Sequence, residues 1–177
     1  NLVYQAQYTA TPVNYLWAYG EKIVKGLSEL PSDYEVTFNL YDPSAESEEP
    51  IATATLSRDD FEWDEDEGYF RASFTFGGAL EADGMASIMN GNSLILPAGE
   101  YIIEEASISG ISGMNLTTSY TVNDIEAEGR RFTFTISEGE GTGLGFTFTN
   151  TYSKIITPPP VITTYNYTVV HEYYTSD

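Results

Sequence analysis

The 177-residue chain has no cysteine, one histidine and seven basic residues against 27 acidic ones. Without cysteine there are no disulfides, thiol nucleophiles, zinc–thiolate sites or iron–sulfur clusters. A lone His171 argues against most metal triads and against a Ser-His-Asp arrangement. The bases Lys22, Lys25, Arg58, Arg71, Arg130, Arg131 and Lys154 are scattered. Neutralising a nucleic-acid backbone takes clustered Lys and Arg, so that partner is excluded. A formal net charge of −20 disfavours an anionic membrane surface in the same way. No apolar run approaches the roughly twenty residues of a spanning helix. Helical periodicity is also missing: the best candidate, residues 81–89, reads as a loop with at most one helical turn. No residue pattern calls for a cofactor.

What is present is bulk and alternation. Hydrophobic residues make up 41% of the chain, with 14 Tyr and 9 Phe, too much for a solvated coil. The length suits one domain with extensions. The absence of an initiator Met and of a signal peptide suggests a piece of something longer. Residues 34–41 (YEVTFNLY), 69–76 (YFRASFTF), 131–136 (RFTFTI) and 144–150 (LGFTFTN) alternate with period two. Their Thr, Tyr, Phe, Val and Ile suit a pleated, half-buried surface. Turn signals separate them, among them Pro31, Pro43, the glycine pair 77–78, Asn90-Gly91 and Pro97. Many short strands at close spacing predict an all-β antiparallel sandwich.

The expected division has four parts. Residues 1–13 form an N-terminal strand extension, and residues 14–153 the sandwich. Residues 154–164 are a Pro-rich connector of polyproline type. Residues 165–177 form a C-terminal strand-like extension. The acids concentrate between Asp42 and Glu67, with eleven acids and one base, Arg58. Asp64 and Asp66 in the run DEDEG invite a calcium reading. The run lacks the spacing of an EF-hand loop and reads first as a solvated acidic loop.

Alternation also places polar residues inside. Asn150 shares a face with Phe146 and Phe148, and Glu105 shares one with Tyr101 and Ile103. Glu104 then faces water beside Ile102. Lys22 shares a face with Ala18, Gly20 and Val24, while Lys25 falls on the other face or in the turn before Gly26. A buried amine and a buried carboxyl are costly unless they meet. Apolar surroundings disfavour both charges, so the proton can pass from amine to carboxylate and leave a nucleophilic amine. Held against the Asn150 amide, that amine could displace ammonia and leave a Lys–Asn isopeptide bond. A protonated Glu105 would assist, and contact would supply the effective molarity.

Residues 101–105 (YIIEE) followed by Gly110 resemble the "E-box" of Gram-positive pilins and collagen-adhesin B-type (CnaB) domains. Residues 96–101 (LPAGEY) are typical of the same domains. Residues 22–27 (KIVKGL) resemble their first strand and residues 146–152 (FTFTNTY) their last. The resemblance spans residues 22–152, with the three motifs in the expected order. It implies an immunoglobulin-like, CnaB-type sandwich with Lys22 and Asn150 as bond partners and Glu105 as the catalytic carboxyl. The residues before Lys22 (WAYGE) depart from the family's β-branched run, so Lys25 stays open as an alternative nucleophile. No sorting signal of the LPxTG type occurs, and Lys154 is a remote candidate for linkage to other subunits.

The implied role is a stalk or fibre module of a bacterial surface adhesin or pilus, extracellular and not an enzyme, since the bond forms once. Residues 164–175 (TYNYTVVHEYYT) resemble the opening strand of mucin-binding-type repeats, and residues 2–9 (LVYQAQYT) could close a preceding one. Both would pair with neighbouring domains or subunits. The competing reading is a host-ligand or carbohydrate-binding module using the aromatic acidic loop of residues 42–70, with Phe61, Trp63 and Tyr69 in contact. A glycosidase comes last, because no carboxylate pair stands out. His171 reads as a surface or packing residue. The glycosylation patterns at Asn115 and Asn166 would carry no meaning in a bacterial protein.

Overall fold

The structure is a computed structural model that describes residues 14–45, 48–76, 81–82, 85–86, 93–138, 142–156, 161 and 163–173. Thirteen strands occur among them, and no α-helix. They are β1 (Asn14–Lys25), β2 (Glu35–Tyr41), β3 (Ala52–Ser57), β4 (Glu62–Asp64) and β5 (Tyr69–Phe74). Then come β6 (Glu81–Ala82), β7 (Met85–Ala86), β8 (Ser93–Leu96) and β9 (Gly99–Ile108). The last four are β10 (Met114–Val122), β11 (Ile125–Glu128), β12 (Arg131–Ile136) and β13 (Thr142–Lys154). A single 3-10 turn, Arg58–Asp60, follows β3.

Two sheets carry the body. One has seven strands in the order β11-β10-β13-β1-β5-β4, with β8 also paired to β1; the other runs β12-β9-β2-β3. The period-two pattern sets the inner faces. Val36, Phe38 and Leu40 of β2 point inward, as do Ala52, Ala54 and Leu56 of β3 and Phe132, Phe134 and Ile136 of β12. Opposite them lie Leu16 and Ala18 of β1, Ala72 and Phe74 of β5, and Leu144, Phe146 and Phe148 of β13. The core is aromatic: Phe38 stacks on Phe74 at 4.0 Å between ring centres, and Phe74 meets Phe146 edge-on at 5.6 Å. Gly20 makes room for that last pair, since a Cβ there would fall 2.5 Å from the Phe74 ring.

The sandwich agrees with the expectation from sequence, with one difference in direction. β1 and β13 pair in parallel, Leu16 opposite Thr142 through Lys25 opposite Thr151, while the other paired strands are antiparallel. Period-two alternation is the same in either direction, so it could not reveal this. Residues 81–89 also differ from expectation. Their described part is not a helical turn but a pair of two-residue strands, β6 and β7, in antiparallel register. Ile102 is buried where exposure was expected, because it lies in a groove with Tyr41, Asp42 and Pro43 on the outer face of its sheet.

The extensions fall partly outside the described residues. Residues 1–13 do so entirely. Residues 163–173 form no ladder with the body and lie exposed, with Tyr165 and Tyr167 at least 80% accessible. No helix among the described residues is long and apolar enough to cross a membrane.

Candidate functional site

Three polar side chains are fully buried among the described residues: Lys22, Glu105 and Asn150. The two sheets deliver them to one point. On β1 the inward series runs Leu16, Ala18, Gly20, Lys22, Val24; on β13 it runs Leu144, Phe146, Phe148, Asn150, Tyr152. In both series the polar residue stands at the step between two apolar clusters. The large one holds Leu16, Ala18, Phe146 and Phe148, and the small one is Val24, Leu30, Tyr34 and Tyr152. The parallel register sets Lys22 beside Phe148 and Val24 beside Asn150, so the two polar side chains lie one step apart on adjacent strands.

Glu105 comes from the facing sheet through an irregularity in β9. Thr37 of β2 pairs with Ser107 and Phe38 with Glu105, which leaves Ala106 as an extra residue on the β9 side. Bulges of this kind re-aim a side chain. Arg130 holds the bulge from outside: the Glu105 N–H donates to the Arg130 carbonyl at 2.8 Å, and the Arg130 guanidinium donates to the Glu105 carbonyl. Glu104, one residue earlier, is half-buried on the outer face.

Within the site, Lys22 Nζ lies 2.7 Å from Glu105 Oε1, and Asn150 Nδ2 donates to the same oxygen at 3.0 Å. One carboxylate oxygen thus touches both nitrogens. The Lys22 contact is a close ion pair that falls outside hydrogen-bond angles, and Glu105 Oε2 and Asn150 Oδ1 have no partner. Orphaned buried polar atoms are costly, and so many in one place is unusual for a folded protein. Burial pushes the Lys22 ammonium down to about 8 from 10.5, with the Arg130 charge adding to it; Glu105 opposes the shift without cancelling it. A neutral amine is therefore accessible near physiological pH, and a neutral amine can attack a carbonyl.

The other sequence-predicted residues are not brought into this site. Lys25 is exposed, with its ammonium over the Tyr69 ring at 5.4 Å from the centroid. Phe61 is part-buried and packs edge-on against Tyr34 at 5.5 Å, so it is not wholly offered to a ligand. Trp63 is 44% exposed and leans on Phe70. Asp64 is engaged locally: its Oδ1 accepts from the N–H groups of Asp66 and Glu67, and its Oδ2 lies 3.4 Å from Arg71. Among the described residues no cluster of three acidic, histidine or cysteine side chains is placed to hold a metal. His171 is exposed in the tail.

No family model and no curated protein matches the sequence. Among the solved structures similar to it are two pilins. One is GBS52, the minor pilin of the Gram-positive pathogen Streptococcus agalactiae, at a TM-score of 0.33 and 16% identity, over 86% of this chain and 49% of that one. The other is the major pilin of Streptococcus pyogenes in a point-mutant form, at a TM-score of 0.31 and 13% identity, over 79% of this chain and 48% of that one. The chain spans about half the length of each pilin. Similarity of this degree bears on neither bond chemistry nor assembly.

Two residues of the site escaped the sequence reading. Tyr34 closes it from the small cluster, 1% exposed, and its hydroxyl has no hydrogen-bond partner. A signal existed, since Tyr34 is in phase with Val36 and Phe38 and therefore points inward. Arg130 had no comparable signal, because its role depends on the bulge.

Proposed function

We propose that this chain is a structural module of a Gram-positive surface fibre or adhesin, cross-linked by a self-formed amide bond between Lys22 and Asn150. The observation that carries the reading is the shared contact of Lys22 and Asn150 with one buried Glu105 oxygen. Burial supplies the free amine, the fold supplies proximity, and the carboxyl supplies and removes protons. Ammonia leaves once, so the chain is its own product and not an enzyme. The CnaB resemblance of the three motifs points the same way.

The bond suits a load-bearing part. It would close a loop of about 130 residues, which in the chain-entropy model contributes roughly 4–5 kcal/mol, as a disulfide of that span would. Its mechanical effect is larger. Lys22 lies near the end of β1 and Asn150 near the end of β13, and these strands are neighbours running the same way. Tension entering along β1 would cross at Lys22 and leave past Lys154, bypassing residues 23–149. The surface of a Gram-positive cell is the proposed location. The exposed tail, with Tyr165, Tyr167, Val169 and Tyr173 unpaired with the body, is proposed to pair with an adjacent domain or subunit.

Intact-protein mass spectrometry tests the bond. The wild-type chain should be lighter than its sequence by one ammonia, and Lys22→Ala, Glu105→Ala and Asn150→Ala should each restore the full mass. An unshifted wild-type mass removes the claim. A second reading has one observation in its favour: a groove of about 490 Å³ lined by Trp63, Phe70, Phe61, Arg58, Glu29 and Asp59. Aromatic faces beside charged side chains suit a carbohydrate or host ligand. A glycan-array signal abolished by Trp63→Ala would favour that role.

A further inference from the structure

Lys22 and Asn150 stand on one sheet and Glu105 on the other. The gap between the sheets at this level therefore decides whether one carboxyl oxygen touches both nitrogens. Beside the site the chain crosses from sheet to sheet in two residues. β11 of the seven-stranded sheet ends at Glu128, and β12 of the other sheet begins at Arg131. Gly129 adds a last rung on the first side: its N–H donates to the Thr118 carbonyl of β10 at 3.0 Å. Thr118 is the register partner of Asn150. Arg130 adds a last rung on the second side: its carbonyl accepts the Glu105 N–H at 2.8 Å. The crossover is thus pinned to Glu105 at one end and to the strand beside Asn150 at the other.

Glu105 sits where its own ladders run out. The register of β12 on β9 ends with Arg131 opposite Glu104. The register of β2 on β9 breaks directly after Glu105, with Ala106 left over. Both main-chain groups of Glu105 then go to Arg130: the N–H to its carbonyl and the C=O to its guanidinium. One side chain completes the pinning. Gly129 makes so short a crossover feasible, with a φ of +122° that L side chains rarely adopt.

We propose that Gly129 and Arg130 form a positioning strap for bond formation, with Arg130 the residue that holds Glu105 within reach of both Lys22 Nζ and Asn150 Nδ2. This rests on the bond-forming reading above. The step served is the same: the Lys22 amine displaces ammonia from the Asn150 side-chain carbon, and Glu105 takes a proton from the attacking nitrogen and gives one to the departing nitrogen. Arg130 touches none of the reacting atoms. It acts through the main chain of Glu105, at a point where the sheet no longer fixes that residue from both sides. Small displacements matter for such a contact, because effective molarity falls steeply once reacting groups leave near-attack distance.

The test follows ammonia loss by intact mass after pulse synthesis of the full chain in a cell-free system. Arg130→Met removes the donors and should slow the loss by on the order of 10²-fold, the effect of moving a reacting group by about 1 Å. Citrulline at position 130 keeps the shape and an N–H donor without the charge, and should react near the wild-type rate. Arg131→Met removes the neighbouring exposed charge and should also react near the wild-type rate. A folded Arg130→Met chain that reacts as fast as wild type overturns the proposal. Citrulline as slow as methionine overturns it too, because charge and not the hydrogen bond would then be at work. Equal slowing in Arg131→Met does the same, since the effect would not belong to the strap. If Arg130→Met does not fold, Gly129→Ala decides. A Cβ there meets the Tyr120 ring at an ordinary 3.8 Å, so the change acts on the backbone angle. It should slow the reaction at least tenfold, and an unchanged rate overturns the proposal. A wild-type chain that never loses ammonia fails the bond reading itself, and this inference falls with it. A wild-type chain that bonds while the strap variants keep pace fails this inference alone.

Discussion

Between Asp42 and Glu67 eleven acids crowd the chain with one base, and the described ones lie mostly exposed or half-exposed. At the step between the two core clusters there is one acid, one base and one amide, none with any access to water. The first region carries much of the charge and little of the energetics, because solvent screens each group. Its ion pairs, Asp64 with Arg71 and Arg58 with Glu29, are long, and each has at least one well-exposed partner. Pairs of that kind contribute little. The second region carries almost no net charge and much more at stake, since each group depends on the others for every interaction that water would otherwise supply. The number of charges is therefore a poor guide to where the chemistry lies; the number of unpartnered buried atoms is a better one.

The largest effect should come from taking one member out of the buried region. Glu105→Ala leaves Lys22 buried with no counter-charge, which typically costs about 3–5 kcal/mol, and loss of the proposed cross-link would add roughly 4–5 kcal/mol. Glu104→Ala, one residue away on the outer face, should cost about 0.5 kcal/mol or less. Chemical denaturation of the two variants side by side measures the contrast, and similar losses would erase it.

Gly26→Ala tests how firmly the small-cluster end is held. Gly26 has a φ of +82°, and a Cβ there would fall 1.9 Å from the Tyr152 carbonyl oxygen, which is backbone and cannot swing aside. A loss of about 3 kcal/mol is expected, combining left-handed strain with that clash. Thermal unfolding reads it directly.

The next effect is in pH. Lys22 has a folded-state pKa near 8, below its unfolded value of 10.5, so the unfolded chain binds more protons between those values. Its burial penalty is fully present below pH 8 and is lifted as pH rises toward 10.5. In Asn150→Ala, where no bond can form, stability should therefore rise by up to about 3 kcal/mol across that window. Urea titrations at pH 8 and pH 10 would show it, and a fall in stability would contradict the buried-amine picture. The smallest effect belongs to the acidic region. Asp64→Asn keeps the turn acceptor and loses only the long pair with the exposed Arg71, for less than about 0.5 kcal/mol.

Much of the site was legible because a strand has a strict period of two. Asn150 could be placed beside Phe148, and Glu105 beside Ile103, with no knowledge of which strands pair. The same alternation put Lys22 and Lys25 on different faces, while the residues before Lys22 kept Lys25 open as an alternative. What alternation cannot carry is direction, bulges and the far side of a contact. The parallel β1–β13 pair depends on the path of the whole chain. The extra Ala106 that follows Glu105 in the ladder, and the backbone contacts of Arg130 to Glu105, leave no trace in the alternation. Phe61 shows a related limit: its neighbours are acidic in sequence, yet its ring both packs on Tyr34 and lines the groove beside Trp63.

The central claim is a covalent link between two particular side chains, and tandem mass spectrometry of a denatured tryptic digest tests it most directly. The account predicts one branched species joining the peptide of Lys22 to that of Asn150, lighter than their sum by one ammonia, with trypsin unable to cut at Lys22. Cleavage at Lys22 and two separate linear peptides of full mass would contradict it.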